Sequence, residues 1–428
     1  MNTRFNAYSV VNFTMRAKTT ASVLCSEQLQ LTPDSYCFFF NLKYVLISGI
    51  TFVGCNVNMN SGDYVVFERS SFINKNTDIR CKINACKPGV LCYYGFVNTL
   101  VIKQCTFANN KNGNGGIYGY CDSLLVEGST FENNDIGGNS GAAINHVGRL
   151  QILNSSFIGN VAGTGQAGGA VYSVSTFNGV KIANSYFNGN VAGGHSGAIY
   201  LKVIRGSGSR GQVNITNSYF NGNAVRSGSS YGTAGALTVN SDTGELVVTD
   251  SHFSDNEVQS SNASSPSGAA IFVESAGAGV AITNSYFRGN VIGLAAVSTS
   301  GYGGAVYIPD GHAGVNITNS YFTDNVVASS GGRGGAVAIK GGKVTIVNTM
   351  FISNRASDGG GGAIYCGQSY TNISLTKNTF SHNTAAYCGV MDVDEFYHYN
   401  TTFTGNTFTY NRAVGQVAGN NGRRGHLY

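Results

Sequence analysis

The sequence predicts an all-β solenoid, a right-handed parallel β-helix of about 12–13 coils, from three observations. A Phe-x-x-Asn unit recurs eleven times, at spacings of 24 to 35 residues. A second motif, a small residue followed by Gly-Ala and an aliphatic residue, stands between these units. The residues ahead of each Phe alternate between apolar and polar, as in a half-buried strand. Because one such coil cannot bury its own apolar face, the coils must stack into a continuous core.

The repeated aromatic and amide residues have predicted places within each coil. We expect each repeat Phe to stack on the Phe of the next coil, in a core formed by Phe157, Phe187, Phe220, Phe253, Phe287, Phe322 and Phe351. Three residues before the Phe an asparagine recurs, which we interpret as an inward structural ladder whose amides bond along the stack. This predicted ladder comprises Asn154, Asn184, Asn217, Asn284, Asn319 and Asn348.

The residue directly before the repeat Phe is often tyrosine and should point outward. An aromatic stripe of this kind either binds sugars or a partner, or packs against a neighbouring loop. The tyrosines concerned are Tyr186, Tyr219, Tyr286 and Tyr321.

The chain is expected to form one continuous solenoid domain with three parts. Residues 1–106 are a cysteine-rich N-terminal cap with the first degenerate coils, 107–411 are the regular repeats, and 412–428 are a polar C-terminal tail. We assign the first part as a cap because the open end of a stack is an exposed strand edge.

Composition excludes several classes of protein. With 59 Gly, 4 Pro and 11% charged residues, the chain is neither collagen-like nor an ordinary helix-rich protein. Its net charge of +5 is spread along the sequence without a basic block, so we expect no nucleic-acid partner. No uninterrupted apolar run has the length of a transmembrane segment.

The ten cysteines are even in number and form no Cys-x-x-Cys pair. This usage favours disulfides in an oxidising compartment, with buried free thiols as the alternative. The disulfide candidates are Cys25, Cys37, Cys55, Cys81, Cys86, Cys92, Cys105, Cys121, Cys366 and Cys388. The last two lie 22 residues apart, about one coil, and are candidates for a bridge between adjacent coils.

Glycosylation sequons also point to an extracellular or cell-surface glycoprotein. The candidate acceptors are Asn214, Asn316, Asn262, Asn372, Asn400 and Asn12. Of these, Asn214 and Asn316 are favoured because each lies between two inward aliphatic residues and should face solvent. Asn154 also begins a sequon, but its predicted inward position makes it a poor acceptor.

The alternating Gly-Gly-Ala-Ile and Phe-x-x-Asn units resemble the repeats of chlamydial polymorphic membrane proteins and related surface β-helices. The resemblance covers Phe107 to Asn411. It implies a right-handed parallel β-helix exposed outside a cell, with adhesion as the role of the family.

Candidates for catalysis are few. Asp392 and Asp394 share one face of a predicted strand, which suits a cation or a substrate, with solvated edge charges as the alternative. The seven histidines show no metal-ligand spacing, and we expect neither a metal nor a cofactor.

The expected function is that of a non-enzymatic extracellular structural or adhesive protein, self-assembling into fibres or a cell-surface layer. Its expected partners are further copies of itself or cell-surface glycans and proteins. Two alternatives remain open: a polysaccharide-active lyase or glycoside hydrolase, and a glycan- or surface-binding module.

Overall fold

The computed structural model describes most of the chain, with gaps between the ranges that follow. They are residues 5–7, 12–24, 36–53, 56–73, 82–84, 97–111, 116–175, 179–203, 211–227, 232–241, 244–260, 266–276, 279–293, 301–309, 313–367, 371–394, 398–415 and 424–427. No helix in these ranges is long and apolar enough to span a membrane.

The structure consists of strands, numbered here along the chain. The N-terminal strands are β1 (Phe5–Ala7), β2 (Asn12–Leu24), β3 (Tyr36–Val53), β4 (Asn56–Glu68), β5 (Ser71–Ile73), β6 (Lys82–Asn84), β7 (Val97–Lys103), β8 (Thr106–Ala108), β9 (Ile117–Glu127), β10 (Thr130–Glu132), β11 (Asp135–Ile136), β12 (Ile144–Leu153), β13 (Ser156–Ile158) and β14 (Val161–Ala167). The central strands are β15 (Val171–Ser175), β16 (Val180–Ala183), β17 (Tyr186–Asn188), β18 (Val191–His195), β19 (Ile199–Val203), β20 (Val213–Thr216), β21 (Tyr219–Asn221), β22 (Ala224–Ser227), β23 (Leu237–Ser241), β24 (Leu246–Thr249), β25 (His252–Ser254), β26 (Glu257–Ser260), β27 (Ile271–Ala276), β28 (Val280–Thr283), β29 (Tyr286–Arg288) and β30 (Val291–Ile292). The C-terminal strands are β31 (Val306–Ile308), β32 (Val315–Thr318), β33 (Tyr321–Thr323), β34 (Val326–Val327), β35 (Val337–Lys340), β36 (Lys343–Val347), β37 (Met350–Ile352), β38 (Arg355–Gly360), β39 (Ile364–Gly367), β40 (Thr371–Thr376), β41 (Thr379–Ser381), β42 (Thr384–Tyr387), β43 (Met391–Asp394), β44 (His398–Thr404), β45 (Thr407–Thr409), β46 (Arg412–Ala413) and β47 (Arg424–Leu427).

From β15 onward each coil has four short strands, and each strand pairs in parallel with its counterpart one coil later. For example, β16 pairs with β20, β17 with β21 and β18 with β22. Thirteen Phe residues, from Phe52 to Phe408, share one register position along the stack. The predicted all-β parallel β-helix is confirmed. The thirteen Phe-bearing coils are preceded by one more described coil, in which Val23 has the register position of Phe52, against the 12–13 coils predicted.

The core is a column of Phe rings. From Phe72 to Phe408, successive ring centroids lie 4.5 to 5.2 Å apart, with the rings nearly parallel. Every ring from Phe72 to Phe380 is fully buried, including all seven predicted core residues. Phe52 and Phe72 share the backbone register of the later Phe residues although they precede the regular motif, so stacked coils are present within residues 1–106.

Beside the Phe column runs a second column that we call the inner amide ladder. It is formed by the Asn of each Phe-x-x-Asn unit, namely Asn110, Asn134, Asn160, Asn190, Asn223, Asn256, Asn290, Asn325, Asn354, Asn383 and Asn411. Each Nδ2 donates to Oδ1 of the next asparagine at 2.7 to 3.0 Å. From Asn134 onward each Nδ2 also donates to the carbonyl oxygen of a Phe one coil back. From Asn134 onward the side-chain amides of the column are thereby satisfied inside the core, whereas the buried Oδ1 of Asn110, at the start of the column, has no partner among the described residues.

The Gly-Gly-Ala step brings two coils into close backbone contact. A Cβ atom at Gly169 would lie 2.0 Å from the carbonyl oxygen of Gly197 in the next coil, and one at Gly304 would lie equally close to that of Gly335. Only glycine leaves room for this approach, which explains its recurrence in the motif.

Candidate functional site: a face of tyrosine, asparagine and threonine

One face of the solenoid repeats a six-residue pattern over five consecutive coils. The segments are 182–187, 215–220, 248–253, 282–287 and 317–322, and each reads aliphatic, small, Asn or Asp, Ser, Tyr or His, Phe. The aliphatic residue, the Ser and the Phe are buried in every segment. The other three positions of each segment lie at or near the surface in rows that follow the solenoid axis. We call this surface the tyrosine face.

The turn between the second and third strand of each coil fixes the face. Ser185 and Ser218 illustrate a buried chain in which the backbone N–H of one Ser donates to Oγ of the next, at 3.2 Å. The Ser185 hydroxyl donates in turn to the carbonyl oxygen of Ala183 at 2.8 Å. The asparagine before each Ser has a left-handed backbone, as at Asn217 with φ +43°. Asn tolerates this conformation better than most residues, so the turn selects it.

The predicted inward ladder is the outer row of this turn, and the expectation that it lies inside the coil is wrong. Side-chain amides do bond along the row: Asn217 Nδ2 donates to Asn184 Oδ1 at 2.9 Å, and Asn348 Nδ2 to Asn319 Oδ1 at 2.9 Å. However, all six residues are exposed, namely Asn154, Asn184, Asn217, Asn284, Asn319 and Asn348. The left-handed residue turns each side chain outward, and the Ser that follows it occupies the interior. We call this row the outer amide row; Asp250 belongs to it and accepts from Asn284 at 3.2 Å.

The aromatic row lies two residues further along each segment. Its members stack in the order Tyr186, Tyr219, His252, Tyr286 and Tyr321, with centroid separations of 4.7 to 5.0 Å and interplanar angles of 1° to 9°. Tyr186, Tyr286 and Tyr321 are among the most exposed large apolar residues that the structure describes. Because the rings cover each other's faces, a ligand on the row meets ring edges and hydroxyl groups.

A threonine row runs parallel to these two on the preceding strands. Thr216, Thr249, Thr283 and Thr318 are register partners in four successive coils, and each side chain is at least partly exposed. The signal of this row in the sequence is the Thr before the Asn or Asp in four of the five segments, with Ala183 in the remaining one. The three rows together form a surface of hydroxyl groups, amides and aromatic edges.

The tyrosine face is almost uncharged. Its ionisable exceptions lie in one segment, where Asp250 and His252 replace the usual Asn and Tyr. Partial burial lowers the pKa of His252 below the usual value, which favours the neutral ring between its two tyrosine neighbours.

Of the predicted catalytic pair, only Asp392 has a side chain that the structure describes. Asp392 is wholly buried, so it is neither a surface ligand nor the solvated edge charge of the alternative interpretation. Its Oδ1 lies 3.9 Å from the Cys388 Sγ, and its backbone pairs with His426 of β47. The side chain of Asp394 lies outside the part that the structure describes.

The described cysteines depart from the disulfide prediction. None of the four whose side chains the structure describes, Cys105, Cys121, Cys366 and Cys388, forms a disulfide, so the predicted bridge between Cys366 and Cys388 is wrong. Burial raises the pKa of the Cys105 and Cys366 thiols to about 12, because a thiolate would lose its hydration there. The side chains of Cys25, Cys37, Cys55, Cys81, Cys86 and Cys92 lie outside the described part of the chain.

The sequence analysis missed one pair with the chemistry of a nucleophile and a base. Cys121 Sγ lies 3.7 Å from His146 Nδ1, although the residues are 25 positions apart. His146 Nε2 lies 3.3 Å from the carbonyl oxygen of Arg149, and the backbone of Gly119 is a second hydrogen-bond partner of the ring. Burial lowers the pKa of His146 to about 4. Both side chains are almost completely buried, so a substrate cannot reach them.

The glycosylation candidates remain predictions, and their side chains differ in exposure. Asn316, Asn372 and Asn400 are exposed, and Asn214 is half-buried with its amide donating to Gln212 at 3.1 Å. Asn262 and the side chain of Asn12 lie outside the described residues. Asn154 is exposed, so the reason given for excluding it as an acceptor is wrong.

A shallow depression of about 230 Å³ lies over the strands β36, β40 and β44. Lys343, Asn372, Ser374, Asn400 and Thr402 line it together with two aliphatic residues. It is smaller than ordinary ligand sites and has no carboxylate in its lining. Among the described residues, no group of three or more His, Cys, Asp or Glu side chains could hold a metal ion.

The fold and the face together define a class, that of parallel β-helix repeat proteins with stacked aromatic and amide columns. No family model, no curated protein and no solved structure matches this chain. The similarity to chlamydial repeats therefore rests on the two motifs.

Proposed function

We propose that this protein is a non-enzymatic, extracellular structural or adhesive solenoid that binds its partners through the tyrosine face and assembles on them as a fibre or a cell-surface layer. One observation carries the proposal: five consecutive coils present the outer amide row and the aromatic row in register, four of them add the threonine row, and the surface is almost without charge. A repeated surface of this kind fits a repeated partner, such as a cell-surface glycan or an ordered protein layer.

The rows are suited to binding because they are held rigid before a partner arrives. Each Tyr ring stacks on the next, and neighbouring amides of the outer row hydrogen-bond to one another. Side chains that are already ordered lose little conformational entropy on association, which favours adhesion through many weak contacts.

Glycan binding is a second candidate, favoured by the hydroxyl and amide rows of the same face. In the interior of the row the rings are covered by their neighbours, at 4.7 to 5.0 Å. A sugar would therefore be recognised through hydrogen bonds and ring edges rather than by stacking on an open ring face.

The polysaccharide-active alternative is less well supported by the described residues. Glycoside hydrolysis requires two carboxyl groups that reach one sugar. Asp392 is wholly buried, and the tyrosine face has a single carboxylate in its outer amide row, Asp250.

Binding by the full chain to intact cells and to a panel of immobilised polysaccharides tests the proposal. The test variant carries Tyr186→Ser, Tyr286→Ser and Tyr321→Ser. The matched control carries Tyr172→Ser and Tyr200→Ser, which removes a stacked tyrosine pair at 5.4 Å from a different strand of the coil. Circular dichroism verifies that each variant is folded.

We expect the test variant to lose at least tenfold in affinity and the control to retain it, since several anchors are removed at once. Equal binding by both variants would contradict a role for the tyrosine face. Release of reducing ends or unsaturated sugars from any polysaccharide of the panel would favour the enzymatic alternative.

A further inference from the structure

The last described coil leaves its core uncovered. Phe408 occupies the register position of Phe380 and Phe351, but its side chain is 37% exposed whereas theirs are fully buried. Phe403 is 42% exposed and Val414 is 52% exposed in the same coil. An apolar stack end of this kind is energetically costly in water and is a template for pairing.

The hydrogen-bond columns end at the same place. Asn383 donates its backbone N–H and its Nδ2 to Oδ1 of Asn411, at 3.0 and 2.9 Å. Asn411 repeats the position, and its Nδ2 donates to the carbonyl oxygen of Phe380 at 2.9 Å. No described residue follows it along the column. One position earlier, the backbone N–H of His382 donates to the carbonyl oxygen of Thr409 at 3.0 Å, so the last described coil also provides backbone acceptors to the coil before it.

One strand of this end is already covered, and its cover is antiparallel. β47 pairs with β43 in the register Met391 with Leu427 and Asp394 with Arg424. It is the one antiparallel pairing between described strands, the others being parallel. The end of this solenoid therefore accepts an antiparallel strand, while β44, β45 and β46 have no such cover among the described residues.

We infer that the open end, residues 398–415, binds the same end of a second copy of this chain in a closed two-fold dimer. A two-fold axis normal to one side of the coil places the facing strands of that side antiparallel, as β47 lies on β43. A second copy also carries Phe and Asn side chains at the spacing of this stack. A partner without the repeat would not match that spacing.

Charge and size are consistent with this occupant. The segment 400–415 has Arg412 as its single charged residue, so two copies meet with little repulsion and without a demand for an acidic or basic partner. The segment is shorter than the roughly 20–30 residues per side of a standard interface, so we expect a reversible dimer. This inference goes beyond the proposed function, because the tyrosine face lies on the side of the solenoid.

Sedimentation velocity over a range of protein concentrations tests the dimer. The test variant carries Phe403→Lys and Phe408→Lys, which place two charges in the open end. The control carries Ile158→Lys, an apolar residue with the same 37% exposure as Phe408 but on the side of the stack. We expect the unchanged chain and the control to dimerise, and the test variant to bind itself at least tenfold more weakly.

Hydrogen exchange gives a second readout that needs no substitution. Backbone amides of residues 398–415 should exchange more slowly as the unchanged chain is concentrated, whereas those of the tyrosine face should not change. A monomer at every concentration, a dimer unaffected by the two lysines, or growth beyond the dimer into filaments would each overturn the inference. The tyrosine-face variants retain the open end, so failure of this test is distinguishable from failure of the proposed function.

Discussion

The inner amide ladder and the outer amide row use the same residue in two environments. Both place an asparagine in successive coils, and both have amide contacts near 2.9 Å, as between Asn190 and Asn223 inside and between Asn184 and Asn217 outside. The inner residues from Asn134 to Asn383 are fully buried, whereas the outer residues are exposed. An outer amide can therefore exchange its partner for water, whereas an inner amide cannot.

Water explains why the two columns differ in energetic value. An exposed amide that loses its neighbour bonds to solvent, so the net contribution of each outer contact is small. A buried amide has no such replacement, and removing one partner leaves the others unsatisfied in the core. We therefore assign the inner ladder to the stability of the fold and the outer row to its surface.

The largest expected effect is that of removing one inner amide. In Asn223→Ala, the backbone N–H and Nδ2 of Asn190 lose their acceptor, and the carbonyl oxygen of Phe187 loses its donor. The bond from Asn223 Nδ2 to Asn256 Oδ1 is lost as well. Four buried hydrogen bonds are therefore removed, so we expect a loss of about 3–5 kcal/mol in the free energy of unfolding. Urea unfolding followed by far-UV circular dichroism measures it. A loss below 1 kcal/mol would remove the energetic distinction between the two columns.

The fold could be predicted from the sequence. Whether each asparagine faces the inside or the outside of the coil could not. The alternation around each Phe and the recurrence of Gly-Gly-Ala predicted the parallel β-helix, because both motifs are local and repeated. The inward asparagine was assigned three residues before the Phe, whereas the structure has it three residues after. The left-handed residue of the turn changes which side chains face inward, and a strand pattern does not show that change.

A signal for the correct column was nevertheless present in the sequence. The inner position is Asn in every coil from Asn110 to Asn411, as a buried column of mutual hydrogen bonds requires. The outer position varies, with Gly128, Asp250 and Lys377 in place of Asn. The pairing of Cys121 with His146 had no comparable signal, because it occurs once, beside a register shift between β9 and β12.

The buried interior should also disfavour a charged side chain. The pH dependence of the free energy of unfolding measures this effect at His146. Its pKa is about 4 in the folded protein and 6.5 as the ordinary value, so below pH 6.5 the unfolded chain takes up the proton first. Stability is therefore fully retained above pH 6.5 and falls by about 3 kcal/mol as the pH approaches 4.

His146→Leu should remove this part of the pH dependence, and Leu201 already occupies the same register position two coils later. Urea midpoints measured between pH 7 and pH 4.5 compare the two proteins. Parallel curves for the variant and the unchanged chain would show that His146 does not carry the dependence.

The aromatic row should show an intermediate effect, since its rings are stacked but partly wet. Tyr286 lies between His252 at 4.7 Å and Tyr321 at 4.8 Å. We expect Tyr286→Ser to lower the free energy of unfolding by about 1 kcal/mol. Tyr186→Ser is the control, because Tyr186 has one ring neighbour in the row and should lose about half as much. Equal losses at both positions would show that stacking is not the cause.

The smallest effect is expected where the outer amide row loses a side chain without strain. Asn217→Gly removes the hydrogen bond to Asn184 but suits the left-handed backbone at φ +43°, which alanine would not. Water replaces the lost partner, so we expect a change in the free energy of unfolding within about 0.5 kcal/mol. The measurement is the same urea titration as for Asn223→Ala. A loss comparable with that of Asn223→Ala would mean that the outer row holds the coils together, and its assignment to the surface would then be wrong.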